Sequence, residues 1–189
     1  MSTINAEFIA DELISLYALY GNEDYIGEPV SQAEHMSQSA QFAIDEGYDE
    51  EVILAAFFHD VGHLLEHEMD VDYMDGYGIA DHEKIGAEYL LSKGFSERIA
   101  RLVTSHVNAK RYLTYLNPEY YEQLSDASKK TLVYQGGIMT TEEASDFEGG
   151  NDFELFIKLR SWDEAAKREN IPLVKFFVIK DMIIRHLNR

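Results

Sequence analysis

Apolar residues recur at three- and four-residue intervals along most of the chain, and this spacing predicts amphipathic helices. In chain order, the predicted helices span residues 4–20, 30–46, about 50–65, 82–93, 96–113, 118–124, 126–134, 152–167 and 172–187. The sequence contains neither an internal repeat nor a convincing strand pattern, although residues 176–179 could pass for a short strand. The pattern therefore predicts an all-α fold, a helical bundle that forms a single domain over residues 1–189.

Polar residues at several predicted helix starts are of the types that cap helices. Ser31, with Glu34 three residues later, forms a predicted capping box, and Ser96 is a predicted N-cap.

Two acidic segments between helices lack the apolar spacing. Residues 66–78, rich in Gly and Tyr, are interpreted as a loop that could cover or border a site. Residues 140–152 are interpreted as a connection to which the sequence assigns no function.

The chain is strongly acidic, with 35 Asp and Glu against 16 Lys and Arg and a formal net charge of −19. Because this charge would repel a phosphate backbone, nucleic-acid binding is not expected. The absence of Cys excludes disulfides and thiolate ligands and favours a reducing compartment. Residues 1–19 mix acidic with apolar positions and have no basic lead, so neither a signal peptide nor a membrane span is expected. We predict a cytoplasmic protein.

The strongest chemical signal follows the apolar run 52–58, which ends in His59 and Asp60. A buried helix rarely ends in an unpaired imidazole and carboxylate, so these two side chains need a partner. Two explanations fit the pair by itself: a hydrogen-bonded pair in the core, or a metal site in which Asp60 can bridge two ions. Gly62 permits close backbone approach, and His63 is expected one turn beyond His59 on the same helix face.

Further histidines and aspartates fall at the starts or on the inner faces of other predicted helices. The candidate ligands are His35, His59, Asp60, His82, His106 and Asp163, spread over five predicted helices. A lone histidine such as His35 is more often a core residue than a ligand, so the set matters more than any member. A shell of imidazoles and carboxylates suits iron or manganese better than structural zinc. His67 is interpreted as solvated, and His186 as interacting with a helix dipole.

The order of these residues, His, His-Asp, His, His and Asp, resembles the HD-domain superfamily of metal-dependent proteins. The neighbouring segments 25–28, 59–63, 82–84, 106–113, 124–131 and 160–163 are together similar to the 2-amino-1-hydroxyethylphosphonate dioxygenase family. That family consists of mixed-valent diiron oxygenases related to inositol oxygenase. The likeness covers nearly the whole chain and weakens at its two ends and over residues 140–152. It implies an HD-type helical bundle with a dinuclear metal site between helices.

The resemblance implies a pair of iron ions, Fe(II) and Fe(III), with O2 as co-substrate. One iron would bind His35, His59, Asp60 and Asp163, and the other would bind Asp60, His82 and His106. The residues matching the family's phosphonate-binding positions are His63, Lys110, Ser128, Thr131 and Arg160. Tyr25 and Glu28 match a mobile loop, where the tyrosine guards the metal centre and the glutamate lies toward the substrate's ammonium end. For these two, a packed tyrosine and a solvated acid are the alternatives.

The implied reaction is oxidative cleavage of the carbon–phosphorus bond of a 1-hydroxy-2-(amino or trimethylammonio)ethylphosphonate, which yields phosphate and glycine or glycine betaine. A primary ammonium would favour Glu28, whereas a quaternary one would favour aromatic faces, for which Tyr73, Tyr77 and Tyr112 are candidates. Both alternatives stay open. Two other protein classes are also open: a phosphohydrolase that uses the same ligands to activate water, and a non-catalytic regulatory module that keeps the scaffold.

Overall fold

The computed structural model describes residues 5–25, 27–171 and 173–189. Ten α-helices and one 3₁₀ helix form within these residues: α1 (Ala6–Tyr20), α2 (Gln32–Asp45), α3 (Glu50–Phe58), the 3₁₀ helix (Val61–His67), α4 (His82–Ser92), α5 (Glu97–Leu116), α6 (Pro118–Gln123), α7 (Asp126–Tyr134), α8 (Thr141–Glu148), α9 (Phe153–Ala165) and α10 (Phe176–Leu187). The described residues contain isolated β-bridges but no sheet, so the all-α prediction is confirmed. Ile4, Ile26 and Pro172, which belong to predicted elements, lie outside the described residues.

Helix α3 lies at the centre of the main hydrophobic core. Residues 52–58 are all buried, and they pack between α2, α5 and α10. The Tyr17 ring of α1 stacks on Phe57 with ring centroids 4.3 Å apart, and its hydroxyl donates to the Phe57 carbonyl at 2.9 Å. Each fully buried side chain of this size contributes about 1.5–3 kcal/mol. The C-terminal end of α3, where His59 and Asp60 follow, is therefore held firmly in place.

The predicted continuous helix over residues 50–65 is wrong. Helix α3 ends at Phe58, and the chain continues as the 3₁₀ helix. A side chain on Gly62 would place its Cβ 2.0 Å from the His82 carbonyl oxygen, so only glycine fits where the start of α4 crosses. Because a 3₁₀ helix has three residues per turn, His63 does not follow His59 on one α-helical face. Its ring instead stacks on His82, with centroids 4.0 Å apart.

The interpretation of residues 140–152 as a plain connection is also wrong. Thr140 and Glu143 form a capping box that starts α8. Ala144 of this helix joins a small second core with Tyr112 and Met139. This core lies apart from the main one, at the far end of α5, and it fixes α8 against α5.

Other local predictions have mixed outcomes. The capping box of Ser31 and the N-cap at Ser96 are confirmed. Residues 176–179 begin α10 rather than a strand. His67 is exposed, as predicted, and its ring stacks on Tyr20, whereas His186 Nε2 accepts a hydrogen bond from the Ser96 backbone rather than only facing a helix dipole. Within the described ranges, none of the helices has the length and apolar character needed to cross a membrane.

Candidate dinuclear metal site

Six side chains from five helical segments converge on one buried point. They are His35 on α2, His59 and Asp60 after α3, His82 at the first position of α4, His106 on α5 and Asp163 on α9. None is more than 4% exposed. Buried charges and imidazoles at this density require mutual pairing or a bound cation. The structure therefore brings together all of the candidate ligands.

Backbone carbonyls fix the tautomer of each histidine. Nδ1 of His35 lies 2.9 Å from the Ala166 oxygen, and Nδ1 of His59 lies 2.9 Å from the Ala56 oxygen. The corresponding distances are 3.2 Å from His82 to Ile79 and 2.8 Å from His106 to Val103. A carbonyl oxygen can only accept, so each Nδ1 carries a hydrogen and each Nε2 is left to hold either a proton or a metal ion.

These Nε2 atoms face each other in two pairs. The Nε2 atoms of His35 and His59 lie 3.0 Å apart, as do those of His82 and His106. Two unprotonated nitrogens cannot form a hydrogen bond with each other, so a proton or a metal cation must lie between them. Nitrogens bound at about 2.1 Å in adjacent positions of an octahedral ion lie about 3.0 Å apart. The residues present therefore fit one metal ion at each histidine pair.

Asp60 presents one oxygen to each histidine pair. Its Oδ2 lies 3.5 Å from His35 Nε2 and 3.4 Å from His59 Nε2. Its Oδ1 lies 3.2 Å from His82 Nε2 and 3.3 Å from His106 Nε2. This is the arrangement of a bridging carboxylate, and Asp60 could therefore join two metal ions.

Asp163 faces only one of the histidine pairs. Its Oδ1 lies 3.3 Å from His35 Nε2 and 3.9 Å from His59 Nε2. We call His35, His59 and Asp163 the first cluster, and His82 and His106 with Asp60 the second cluster. Counting Asp60 in both, the first cluster offers four side chains and the second offers three. An ion in the second cluster would keep more positions open for other ligands.

The neighbouring charges keep both carboxylates ionised. Burial by itself would raise their pKa values, but His59 and the other imidazoles hold the pKa of Asp60 well below its usual range. Arg160 does the same for the pKa of Asp163, to whose Oδ2 its Nη1 donates. Both carboxylates are thus available as anionic ligands at neutral pH.

Tyr25 covers the first cluster, since its ring stacks on His35 with centroids 3.9 Å apart.

A cavity of about 310 Å³ adjoins the clusters. All seven residues that match the family's phosphonate-binding and loop positions line it: Tyr25, Glu28, His63, Lys110, Ser128, Thr131 and Arg160. Lys110 Nζ donates to Thr131 Oγ1 at 2.8 Å. Burial, and then the charge of Arg160, lowers the pKa of Lys110 to about 7. Two buried basic side chains thus give this acidic protein a local positive wall, as an anionic ligand requires.

Some cavity residues were missed by the sequence reasoning. Gln32, Gln135 and Lys167 all line the cavity. Gln32 precedes His35 by three residues within α2, so helical spacing from this ligand would have found it, whereas Gln135 and Lys167 lie just beyond the ends of α7 and α9. Within the described part of the chain, the side-chain oxygens of Gln32 and Gln135 are buried without a hydrogen-bond partner. Both are therefore free to receive a ligand's donor groups.

The three tyrosines proposed as aromatic contacts divide into two groups. Tyr73 and Tyr77 line the cavity, so the prediction that the loop 66–78 borders a site is confirmed. Tyr112 does not line it. Its ring packs in the second core, and its hydroxyl donates to Glu148 at 2.6 Å. The expectation for Tyr112 failed because α5 turns this position away from the cavity and toward α8.

Comparison with known proteins agrees with this site. Residues 33–133 match the HD domain family. The matched stretch contains the four clustered histidines and Asp60, whereas Asp163 lies beyond it.

Three similar proteins align with most of the chain. The (1-hydroxy-2-(trimethylamino)ethyl)phosphonate dioxygenase (glycine-betaine-forming) of Leisingera caerulea is 37% identical over 189 residues, 100% of this chain and 95% of that protein. The hydroxymethylphosphonate dioxygenase of Gimesia maris is 35% identical over 168 residues, 86% of this chain and 82% of that protein. An uncharacterised protein of Acanthamoeba polyphaga mimivirus is 41% identical over 176 residues, 93% of this chain and 80% of that protein.

Proposed function

The chain belongs to the HD-domain family and, within it, to the phosphonate dioxygenases, and from this premise we propose that it oxidatively cleaves the carbon–phosphorus bond of a 1-hydroxy-2-(amino or trimethylammonio)ethylphosphonate. The products are phosphate and glycine or glycine betaine. Together they contain two more oxygen atoms than the substrate, and one O2 supplies both. The step is a four-electron oxidation of the substrate that needs no other oxidant.

One observation carries this proposal. Asp60 directs one carboxylate oxygen to each histidine pair, and the cavity beside it has a wall of buried basic side chains. We assign two iron ions to the clusters, with Fe(III) in the richer first cluster. Bound there, the iron pair would supply O2 activation and Lewis-acid binding of the substrate's hydroxyl and phosphonate oxygens. Imidazole and carboxylate ligands support iron over a thiol-dependent metal.

The basic wall of the cavity is suited to a phosphonate. Lys110 and Arg160 supply positive charge, and Ser128 and Thr131 add hydroxyl groups on one face of α7. Charge-assisted hydrogen bonds to a phosphonate oxygen are short and about twice as strong as neutral ones. Tyr120 and Glu164 both accept from Arg160 Nε at 3.0 Å, which fixes the plane of the guanidinium group. In our proposal, these residues orient C1 toward the metal site.

Tyr25 and Glu28 also line the cavity. Stacked on His35, the Tyr25 ring limits access of water to the first cluster. Glu28 Oε1 lies 2.6 Å from Lys167 Nζ, so a fixed cation already neutralises this carboxylate. Gln32, whose side-chain oxygen has no partner among the described residues, is placed to accept a hydrogen bond from the substrate's C1 hydroxyl. The role of Glu28 as the contact for an ammonium group is thereby weakened.

The test measures phosphate release and O2 consumption by the iron-loaded protein with the 2-trimethylammonio and 2-amino substrates. We expect one phosphate per O2 and no release under anaerobic conditions. A coupled ferrous–ferric spin-resonance signal that changes on adding substrate should accompany activity. Release that continues without O2, or with manganese or magnesium replacing iron, would identify a phosphohydrolase instead. A protein that retains no metal and turns over neither substrate would fit a regulatory module.

A further inference from the structure

The carboxylates that line the cavity differ in their charge partners. Asp60 and Asp163 face the histidines and Arg160, and Glu28 pairs with Lys167. Glu66 is different: its Oε2 accepts from the Tyr73 hydroxyl at 2.8 Å, and its Oε1 lies 3.8 Å from His67. Within the described ranges, no lysine or arginine nitrogen lies within 4.0 Å of Glu66. Its charge is therefore available to a cationic ligand.

The 3₁₀ helix places Glu66 on the same face as His63. Residues three apart eclipse each other in a 3₁₀ helix, and the rise of about 2 Å per residue separates them by about 6 Å. In the α-helix that the sequence predicts, His67 would hold this position instead. His63 matches a phosphonate-binding position, and both side chains line the cavity. The spacing suits a short zwitterion that has its phosphonate near His63 and its cation near Glu66.

A tight turn carries Tyr73, which contacts Glu66, and Tyr77, which also lines the cavity. The backbone of residues 72–80 is closed by hydrogen bonds from Ala80 N to the Asp72 oxygen and from Met74 N to the Gly78 oxygen, both 2.8 Å. Gly78 has φ +95°, and a Cβ there would lie 2.7 Å from the His63 ring. The turn therefore packs directly on His63, and it holds Tyr73 and Tyr77 at the cavity wall. Such pre-organisation lowers the entropy that a ligand must overcome.

We propose that Glu66, Tyr73 and Tyr77 form the subsite for the cationic end of the substrate, and that this end is a quaternary trimethylammonium group. This inference rests on the proposed function, since it deepens the choice of substrate at the same cavity. A quaternary ammonium cannot donate hydrogen bonds and binds aromatic faces near a negative charge. A primary ammonium carries three hydrogen-bond donors that need acceptors, whereas the aromatic faces of Tyr73 and Tyr77 offer none. The subsite thus matches the quaternary cation better.

The first experiment compares two ligands of equal shape and different charge. Calorimetry on the iron-loaded protein without O2 would measure binding of 2-(trimethylammonio)ethylphosphonate and of its neutral isostere 3,3-dimethylbutylphosphonate. We expect about tenfold tighter binding of the cation, the size of a good cation–aromatic contact. Glu66→Gln and, separately, Tyr73→Leu should each bring the two affinities close to equality. Tyr134→Leu is the matched control, because Tyr134 is 52% exposed and lies outside the cavity lining.

The outcomes separate this inference from the proposed function. Equal affinities for the two isosteres in the unaltered protein would overturn it, as would tighter binding of 2-aminoethylphosphonate than of the trimethylammonio ligand. An unchanged ratio in both variants would overturn the assignment of Glu66 and Tyr73. If the ligand preference holds but no O2-dependent phosphate release occurs, the proposed reaction fails while the subsite stands. Tyr73 is 59% exposed, so Tyr73→Leu should fold even if Glu66→Gln does not.

Discussion

The two clusters of candidate metal ligands share Asp60, yet the protein holds them in different ways. The first cluster takes its ligands from α2, the end of α3 and α9, and of these only Asp163 lines the cavity. In the second cluster, Asp60, His82 and His106 all line it. The first cluster is thus enclosed, as retention of an ion requires, whereas an ion in the second cluster would face the cavity.

The helix positions and hydrogen bonds that hold the histidines also differ between the two clusters. His35 lies in the first helical turn of α2, and its Nδ1 hydrogen bond reaches Ala166 at the end of α9. His82 is the first residue of α4 and follows Asp81, which adopts a positive φ of 53°. A ligand at a helix start depends on the adjoining loop, so the second cluster should be the more easily disturbed. The following predictions test this difference.

The largest effect is expected for Asp60→Ala. Because this carboxylate faces both histidine pairs, its loss should remove both ions and abolish activity, whereas Asp163→Ala should deplete mainly the first cluster. Metal content per chain measures the result, falling from about two to near zero in the first variant and to about one in the second. Asp146→Ala on the exposed face of α8 is the control. A dinuclear site that survives in the Asp60 variant would contradict the bridging role.

Gly62→Ala should damage the second cluster selectively. The added Cβ would lie 2.0 Å from the His82 carbonyl oxygen, so the start of α4 or the 3₁₀ helix must move. Overpacking of this kind costs about 1–3 kcal/mol, which denaturant unfolding would detect. Metal content should fall to about one ion per chain, held by the first cluster. Gly149→Ala, whose Cβ would stay 3.5 Å from the nearest atom, should change neither quantity. Equal depletion of both clusters would remove the proposed difference between them.

The sequence predicted the elements whose signals are local. Apolar spacing located the long helices, and the capping residues Ser31 and Ser96 marked starts to within a residue. The order of histidines and aspartates identified six side chains that the structure does bring together, although their role as metal ligands stays a prediction.

The features that the sequence missed depend on contacts between distant segments. The break after Phe58 accompanies the close approach of Gly62 to the His82 carbonyl, about twenty residues away along the chain. Helix α8 has few apolar positions, and it is stabilised by packing against Tyr112 of α5. The place of Glu66 beside His63 follows from the 3₁₀ geometry, which periodicity did not reveal.

The two basic residues of the cavity should respond differently to neutralisation. Arg160 donates to Asp163, so Arg160→Met leaves a ligand of the first cluster unpaired and should lower both metal content and phosphonate affinity. Lys110 bonds to Thr131, and Lys110→Met should lower only the affinity, by about 10–100-fold for the loss of a charged hydrogen bond. Metal analysis and calorimetry with 2-(trimethylammonio)ethylphosphonate would distinguish them. Metal loss in the Lys110 variant would show that the positive wall also supports the second cluster.

The smallest effect concerns pH. Burial, and then Arg160, lowers the pKa of Lys110 to about 7, so its side chain is charged below that pH and neutral above it. Phosphonate affinity should therefore fall as pH rises through about 7, and bound metal ions should move this fall to lower pH because they disfavour the charged form further. Lys110→Arg keeps its charge at every accessible pH, so this fall should disappear even if absolute affinity changes. Identical pH profiles in the two proteins would show that another group sets the basic limit. The pH profile thus shows whether phosphonate binding in the cavity beside the second cluster depends on the titration of Lys110. The enclosed first cluster is paired with Arg160 through Asp163 and should show no such dependence.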